Sequence, residues 1–575
     1  MSKPLPLVKL PSNALIHRFG SPNTSSTNAL LRFPTQGWTI NKSKKEGWAV
    51  VGDSEGRKLA VETLLSRHRI HPLPPPPGPF PYITSLISSP TSSSTGEISS
   101  YKPIRHLAFS RPPSSGEFTD FTARYGALQE EDKLSFRETL LSTLHPTPSN
   151  DEIERVAGLM KITKLLDLPM VSLSSGQTRR SRIAASLLTK PVLLILEDPM
   201  AGLDIPSRKE VSHTLGELND SGDIRIVLVF RGKGTEDVPD WITNVVEVKD
   251  GNVWIGDKAQ YEESLRTRAK IQADHEKASI QELVDVRADD KKDLVKLDKV
   301  SVSYGEGSRP VLKEVSWSIK EGEKWHLVGA NGSGKTTLLS IILGHHPRSF
   351  SLPSTSLHLF SKPRREIPTT TLRGMIGHTS PEIYSSFPRG MGLTAYSAVG
   401  TGFKGIFSRS ESDENQKKRV LYLLDQVKDL LQPTVGLGAT ERAKGMDLKE
   451  IALRPFAHFT PPQQGLLLFL RAIVGRPNLL VLDEPSQGID EFIWERCKAI
   501  LEREWKDNEK MATIVVSHYE DEVSTAYNLT IFVISINENR ALADGLNGSN
   551  KVPWKKGRGK ILKLDQGVAN VEEPV

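Results

Sequence analysis

In LVGANGSGKTTLL, residues 327–339, three glycines, a lysine and two threonines follow an apolar run at the spacing of a phosphate-binding loop. Gly329, Gly332 and Gly334 let the backbone wrap, so that the N–H groups of a loop through Ala330, Asn331 and Ser333 face an anion. A helix opening at Lys335 adds positive potential there. Lys335 is expected on the β and γ phosphate oxygens, Thr336 on a magnesium ion, and Thr337 in support of neighbouring phosphate contacts. In NLLVLDEPSQGID, residues 478–490, a hydrophobic run ends in two acids. Asp483 is placed to reach the magnesium shell, and Glu484, one residue on, to polarise a water attacking the γ-phosphate. His518 follows another apolar run, 513–516. A lone histidine is ordinarily solvated, but one at the end of a parallel strand beside these acids reads as a γ-phosphate contact.

The elements that must carry these residues occur twice. WTINKSKKEGWAVVG at 38–52 and WSIKEGEKWHLVG at 317–329 are one segment repeated. The same twenty-residue spacing separates Gln177 from Glu197 and Gln463 from Asp483. The chain therefore divides into a first half over 5–260, a charge-mixed helical linker over 261–293, a second half over 294–566, and a tail over 567–575. Inside the first half, 71–117 contains PLPPPPGPFP and a Ser/Thr-rich run. That composition predicts an extended, polyproline-like surface insertion. A docking site for an aromatic groove is the less favoured reading of it.

Taken with LSSGQTRR at 173–180, these motifs resemble those of the ATP-binding cassette ATPases, in the form of a twin-cassette chain without membrane spans. The 376–382 segment IGHTSPE and the QGID turn are similar to those of bacterial soluble twin-cassette proteins associated with molybdate transport or photorepair. The resemblance implies two α/β P-loop domains. Each has a mostly parallel sheet core, an antiparallel β subdomain and a helical subdomain carrying the signature, and the two pack head to tail within the chain. It also implies that nucleotide lies between a phosphate loop of one half and the signature of the other. One composite site then comprises 329–337, Asp483, Glu484, His518 and Tyr304, the last stacking on adenine, closed by Ser174, Ser175, Gly176 and Gln177. Pro381 and Glu382 stand where the family carries a glutamine.

The opposite composite site reads differently. Aligned on Gly52 and Lys58, GDSEGRKLA puts Arg57, Leu59 and Ala60 where Gly, Ser and Thr are expected. The carboxylate pair is inverted to Glu197 and Asp198, and Arg231 replaces the histidine. The facing signature is FTPPQQ at 459–464, whose Pro461 and Pro462 have no N–H to give a phosphate. Because these defects all fall on one site, the expectation is an asymmetric, Mg2+-dependent ATPase with one competent site. Lys58 and Arg231 keep open two readings of the other, nucleotide binding without turnover or scaffold alone.

Composition sets the surroundings. With 37% hydrophobic and 25% charged residues, the chain has the balance of a soluble globular protein, and no run approaches the about 20 apolar residues of a membrane span. Any membrane partner must be another chain. One cysteine, Cys497, excludes an intrachain disulfide and a cysteine zinc cluster and points to a reducing compartment. The first acid is Glu46. The basic, Ser/Thr-rich start resembles a mitochondrial transit segment, of which at most the first dozen residues are free to act as an address. The expected location is intracellular, cytoplasmic with mitochondrial as the alternative. A net charge of +6 neither demands nor excludes nucleic acid. The basic run KVPWKKGRGKILKL at 551–564 reads first as a solvated tail and second as a polyanion contact. What ATP drives is left between a transport-related system with a separate membrane partner, a nucleotide-gated protein acting on ribosome, RNA or DNA, and a non-hydrolysing scaffold.

Overall fold

The computed structural model describes residues 4–21, 28–42, 45–87, 103–109, 134–169, 173, 175–200, 203, 205–230, 238–276, 291–303, 311–329, 333–407, 412–432, 447–516, 530–534, 561–565 and 568–572. The described residues form two compact units, one holding 4–276 with Gln432 and the other 291–431 with 447–572.

In the second unit five parallel strands lie in the order Ile376–Thr379, Leu479–Asp483, Ala512–Val516, Lys324–Gly329, Thr530–Ile534. Leu479–Asp483 and Ala512–Val516, in the middle of the sheet, are mostly apolar and buried because both faces are covered. Leu479 and Val481 pack into one core, with Leu338, Leu339 and Ile514. Leu480 and Leu482 pack into the other, against the helices Pro461–Ile473 and Glu491–Asp507. Truncating the fully buried Leu482, next to Asp483, should cost about 2–5 kcal/mol. A urea midpoint lowered for the second unit in Leu482→Ala would show it.

The first unit repeats that core strand for strand: Ile104–Ala108, Leu193–Glu197, Arg225–Val229, Trp48–Gly52, Asn244–Lys249, again all parallel. Alternation again divides Leu193 and Ile195 from Leu194 and Leu196 between two cores. The duplication seen in the sequence is thus a duplication of topology. The antiparallel portions differ. In the second unit they form a separate six-stranded sheet, built on Asp293–Val302 and Leu312–Lys320. In the first, Asn252–Asp257 turns back antiparallel along Asn244–Lys249, and further short strands extend the sheet to nine.

Four expected boundaries move. The strand Pro6–Leu10 pairs antiparallel with Trp38–Asn41, and Leu7 and Val8 are fully buried, so this stretch is core rather than a free address. The region 71–117 is not one insertion, since it contains the helix Pro81–Ile87 and the core strand Ile104–Ala108. Its proline run folds back: the Gly78 N–H donates to the Pro75 carbonyl at 2.9 Å, closing a four-residue turn where composition predicts an extended segment. The linker's opening belongs to the first unit, because Tyr261, on the helix Lys258–Glu276, is 2% exposed in that core. The tail instead supplies a strand, Val568–Glu572, paired with Ile561–Asp565 and in register with Lys313.

Candidate functional site

In the second unit the strand Lys324–Gly329 feeds the helix Lys335–Ile342 through a five-residue connection, of which Ser333 and Gly334 are described. Gly334 is the residue before the helix and has φ +96°. A Cβ there would stand 2.9 Å from Leu312 Cδ2 and 3.1 Å from the Val311 carbonyl oxygen, so both conformation and space demand glycine. No side chain caps this helix, which leaves its N-terminus suited to an anion. Ser333 Oγ is buried with no hydrogen-bond partner. A buried orphan hydroxyl beside an uncapped helix start is what a phosphate would satisfy. Lys335 is 9% exposed, Thr337 is buried, and Thr336 turns outward on the first turn.

The acids stand at the same edge. Asp483 ends its strand opposite Val516, and the Glu484 N–H donates to the Val516 carbonyl at 2.8 Å. Glu484 sits at φ 45°, in the left-handed region that non-glycine residues avoid. Strain of this kind costs about 1–3 kcal/mol and gathers at functional edges. Burial pushes the Asp483 carboxyl up to about 8, the negative charges of Glu382 and Glu484 add to the rise, and Lys335 opposes it. The charges of Glu382, Glu484 and Lys335 all act on Asp483. Tyr304, Ala330, Asn331, Gly332 and His518 lie outside the described residues.

The corresponding edge of the first unit is closed upon itself. Where the second unit has a loop, the helix Ser54–Leu64 begins almost at once after Gly52. Asp53 caps it: one carboxylate oxygen accepts the Gly56 N–H at 2.5 Å and the other accepts the Asp250 N–H at 3.1 Å. A carboxylate of the chain thus occupies the helix N-terminus that would otherwise face phosphate. Gly52, at φ +117°, could take no side chain, because a Cβ would stand 1.9 Å from the Val248 carbonyl oxygen. Lys58 points outward, its side chain 58% exposed and 3.7 Å from Glu55. Leu59 and Ala60, in the places of the hydroxyl residues, are core. Glu197 lies 3.2 Å from His106 Nε2 on the neighbouring strand. Asp198 keeps the left-handed backbone, at φ 47°, and its N–H donates to the Val229 carbonyl at 2.8 Å, as Glu484 does to Val516. Arg231 lies outside the described residues. The Asp53 cap and the His106 contact are absent from the reading of the motifs. The first had a signal, since an aspartate followed by Ser-Glu is a common helix start.

The two signature segments also differ. In the first unit Ser175, Gly176 and Gln177 open the helix Ser175–Leu188, while Ser174 lies outside the described residues. Arg179 on that helix donates to the Asp198 carbonyl at 2.8 Å. In the second unit the helix Pro461–Ile473 starts with two prolines. Gln463 Oε1 accepts the Thr460 N–H at 3.1 Å and Gln463 Nε2 donates to the Leu430 carbonyl at 2.9 Å. Gln464 Oε1 accepts Arg389 Nε at 3.2 Å. These side chains are spent on holding their own helix and its neighbours.

Comparison with known proteins follows the same division. A family model described as ABC transporter matches residues 83–201 and 312–487. The second match contains the phosphate loop, whereas the first begins beyond 52–60. An uncharacterized ABC transporter ATP-binding protein of Schizosaccharomyces pombe is 28% identical over 519 residues, 88% of this chain and 96% of its own. The ABC transporter ATP-binding protein ModF of Escherichia coli is 30% identical over 374 residues, 63% of this chain and 69% of its own. A solved structure described as a model of ribosome-bound archaeal Pelota and ABCE1 shares the fold, with a TM-score of 0.51 at 16% identity over 97% of this chain and 78% of that one. A chain so matched across both halves belongs to the ABC transporter family, as a twin-cassette ATPase of the ATP-binding cassette type.

Proposed function

We propose that this ATPase turns over at one composite site, made of the second-half phosphate loop and carboxylates closed by Ser174, Ser175, Gly176 and Gln177 of the first half, and that the other site is silent. The observation that carries this reading is the Asp53 carboxylate at the first-half helix N-terminus. Phosphate would have to displace an anion already bonded to two backbone N–H groups, into a place without a loop to wrap it. Thr336 and Asp483 are the residues that would hold Mg2+, which neutralises the β and γ oxygens when bound. Glu484 orients and polarises water for in-line attack on the γ-phosphate, Lys335 holds its oxygens, and His518 contacts it. On this reading Pro461 and Pro462 remove the N–H groups that would otherwise close the other site.

Binding should therefore saturate at one nucleotide per chain. Calorimetric titration of the Glu484→Gln chain with Mg2+ and ATP measures this, and a stoichiometry of two would show that the Asp53 cap gives way to nucleotide. The energy drives opening and closing of paired, head-to-tail cassettes. The S. pombe relative and ModF, both ABC transporter ATP-binding proteins, favour work on a separate membrane partner, as the ATPase component of a transport-related system. Among the described residues no helix is long and apolar enough to cross a membrane. A membrane protein retained by the ATP-loaded Glu484→Gln chain would support that assignment, and salt-sensitive retention on RNA instead would replace it with a nucleotide-gated nucleic-acid binder.

A further inference from the structure

The helix Ser175–Leu188, which opens with signature residues, carries arginines at 179, 180 and 182. Arg180 reaches a neighbouring helix, Ile205–Asp220, where it lies 3.1 Å from Glu210. The other two reach the ends of adjacent parallel strands. Arg179 Nη1 donates to the Asp198 carbonyl and Arg182 Nη2 to the Ala108 carbonyl, each at 2.8 Å. Phe109 joins these strand ends: its N–H donates to the Glu197 carbonyl at 3.4 Å, and both guanidinium carbons lie 5.1 Å from its ring centroid. Because Phe109 is buried, it offers the two cations a fixed aromatic surface. A planar guanidinium that donates to a carbonyl while meeting a ring is held in orientation as well as in position. Arg179 stands about one helical turn after Ser175, so what fixes it fixes the pose of the helix start.

The second unit has no such clamp. Aligning Gln177 with Gln463 sets Gly465 and Leu468 in the places of Arg179 and Arg182. Leu468 is core, and a Cβ on Gly465 would stand 2.8 Å from Ile489 Cγ1, so apolar packing holds that helix at both places. We propose that Arg179 and Arg182 are positioning residues for turnover at the second-half site: by clamping the signature helix to the first unit's own strand ends, they hold Ser175, Gly176 and Gln177 in the pose that closes on the γ-phosphate. The edge without phosphate chemistry of its own then anchors the segment that the other site needs. The inference rests on the composite site proposed above.

The test uses the full chain, with kcat and KM for Mg2+-ATP, equilibrium binding of a β,γ-imido analogue of ATP, and the thermal unfolding midpoint. A misplacement of about 1 Å can cost about 10²-fold in rate, so Arg179→Ala should lower kcat about 10- to 100-fold. KM and analogue affinity should stay within about threefold, because the phosphate loop and its carboxylates are untouched. Arg179→Lys, which can still donate to the Asp198 carbonyl, should recover part of the lost turnover without the fixed orientation of the fork. Phe109→Leu removes the ring and keeps an apolar side chain; combined with Arg179→Ala it should add little further loss, since both act on one clamp. Fully additive losses overturn the clamp. Unchanged kcat in Arg179→Ala overturns the inference, and so does a loss confined to temperatures near a lowered unfolding midpoint, which marks a merely structural role. Gly176→Asp, which sets a negative charge in the signature itself, separates this inference from the reading beneath it. If Gly176→Asp leaves turnover intact, the composite site fails and this inference with it. If Gly176→Asp abolishes turnover and Arg179→Ala does not lower it, this inference alone fails.

Discussion

Glu484→Gln should lower steady-state Mg2+-dependent ATP turnover about 10²–10³-fold, while Asp198→Asn leaves most of it. The two residues share a backbone geometry, at φ 45° and 47°, each with its N–H on the carbonyl of the next strand at 2.8 Å. Position alone therefore does not distinguish them, and the difference must come from what each faces. Glu484 belongs to a group with Lys335 and Asp483, beside an uncapped helix and a buried hydroxyl without a partner. Asp198 follows a glutamate that contacts His106, in a unit whose corresponding helix start is filled by Asp53. Gln keeps the size of Glu484 and removes its capacity to polarise water, so ATP binding should survive the substitution. Equal losses in the two variants would make the enzyme symmetric and leave the Asp53 cap without consequence for turnover.

The left-handed residue recurs in the first unit at the corresponding strand end, at Asp198. At Asp198 the left-handed backbone is held by the strand edge, the bond to Val229 and the Arg179 contact to its carbonyl. The two units differ instead in the side chains at the positions aligned with the phosphate loop and its carboxylates. Each has become a structural group: Asp53 caps a helix, Leu59 and Ala60 fill a core, and Glu197 meets a histidine. Groups satisfied within the fold add stability whether or not nucleotide is present.

Features carried by contiguous residues were legible in the sequence. The phosphate loop, the LDEP box and the repeat each fix local geometry within a few residues, and both parallel cores form from the apolar runs that precede them. Features that depend on distant partners were not. Val568–Glu572 pairs locally with Ile561–Asp565, but its place in the sheet is set by Lys313, some 250 residues away. Tyr261 is core because the body of the first unit extends to receive it. The proline run looked extended by composition, yet Gly78 supplies the N–H that closes a turn on Pro75. Aligning 52–60 on the intact loop predicted a damaged loop, whereas a helix stands there, because the local capping preference of Asp53 prevails once the glycines are lost.

That last difference makes the two aligned lysines the sharpest contrast in the chain. Lys335→Ala should weaken ATP binding about 10- to 150-fold, the equivalent of one charge-assisted hydrogen bond of about 1.5–3 kcal/mol. Lys335 is 9% exposed, opens an uncapped helix and shares an electrostatic neighbourhood with Asp483. Lys58 occupies the same place in the repeat but is a full helical turn inside its helix, with its side chain largely in water beside Glu55. Lys58→Ala should change ATP affinity by less than about twofold, since exposed ion pairs contribute little. Equilibrium titration with a fluorescent ATP analogue in Mg2+ separates the two. A comparable loss in both variants would mean that the first-half helix gives up its Asp53 cap to take phosphate, and the chain would then hold two nucleotides with only one of them hydrolysed.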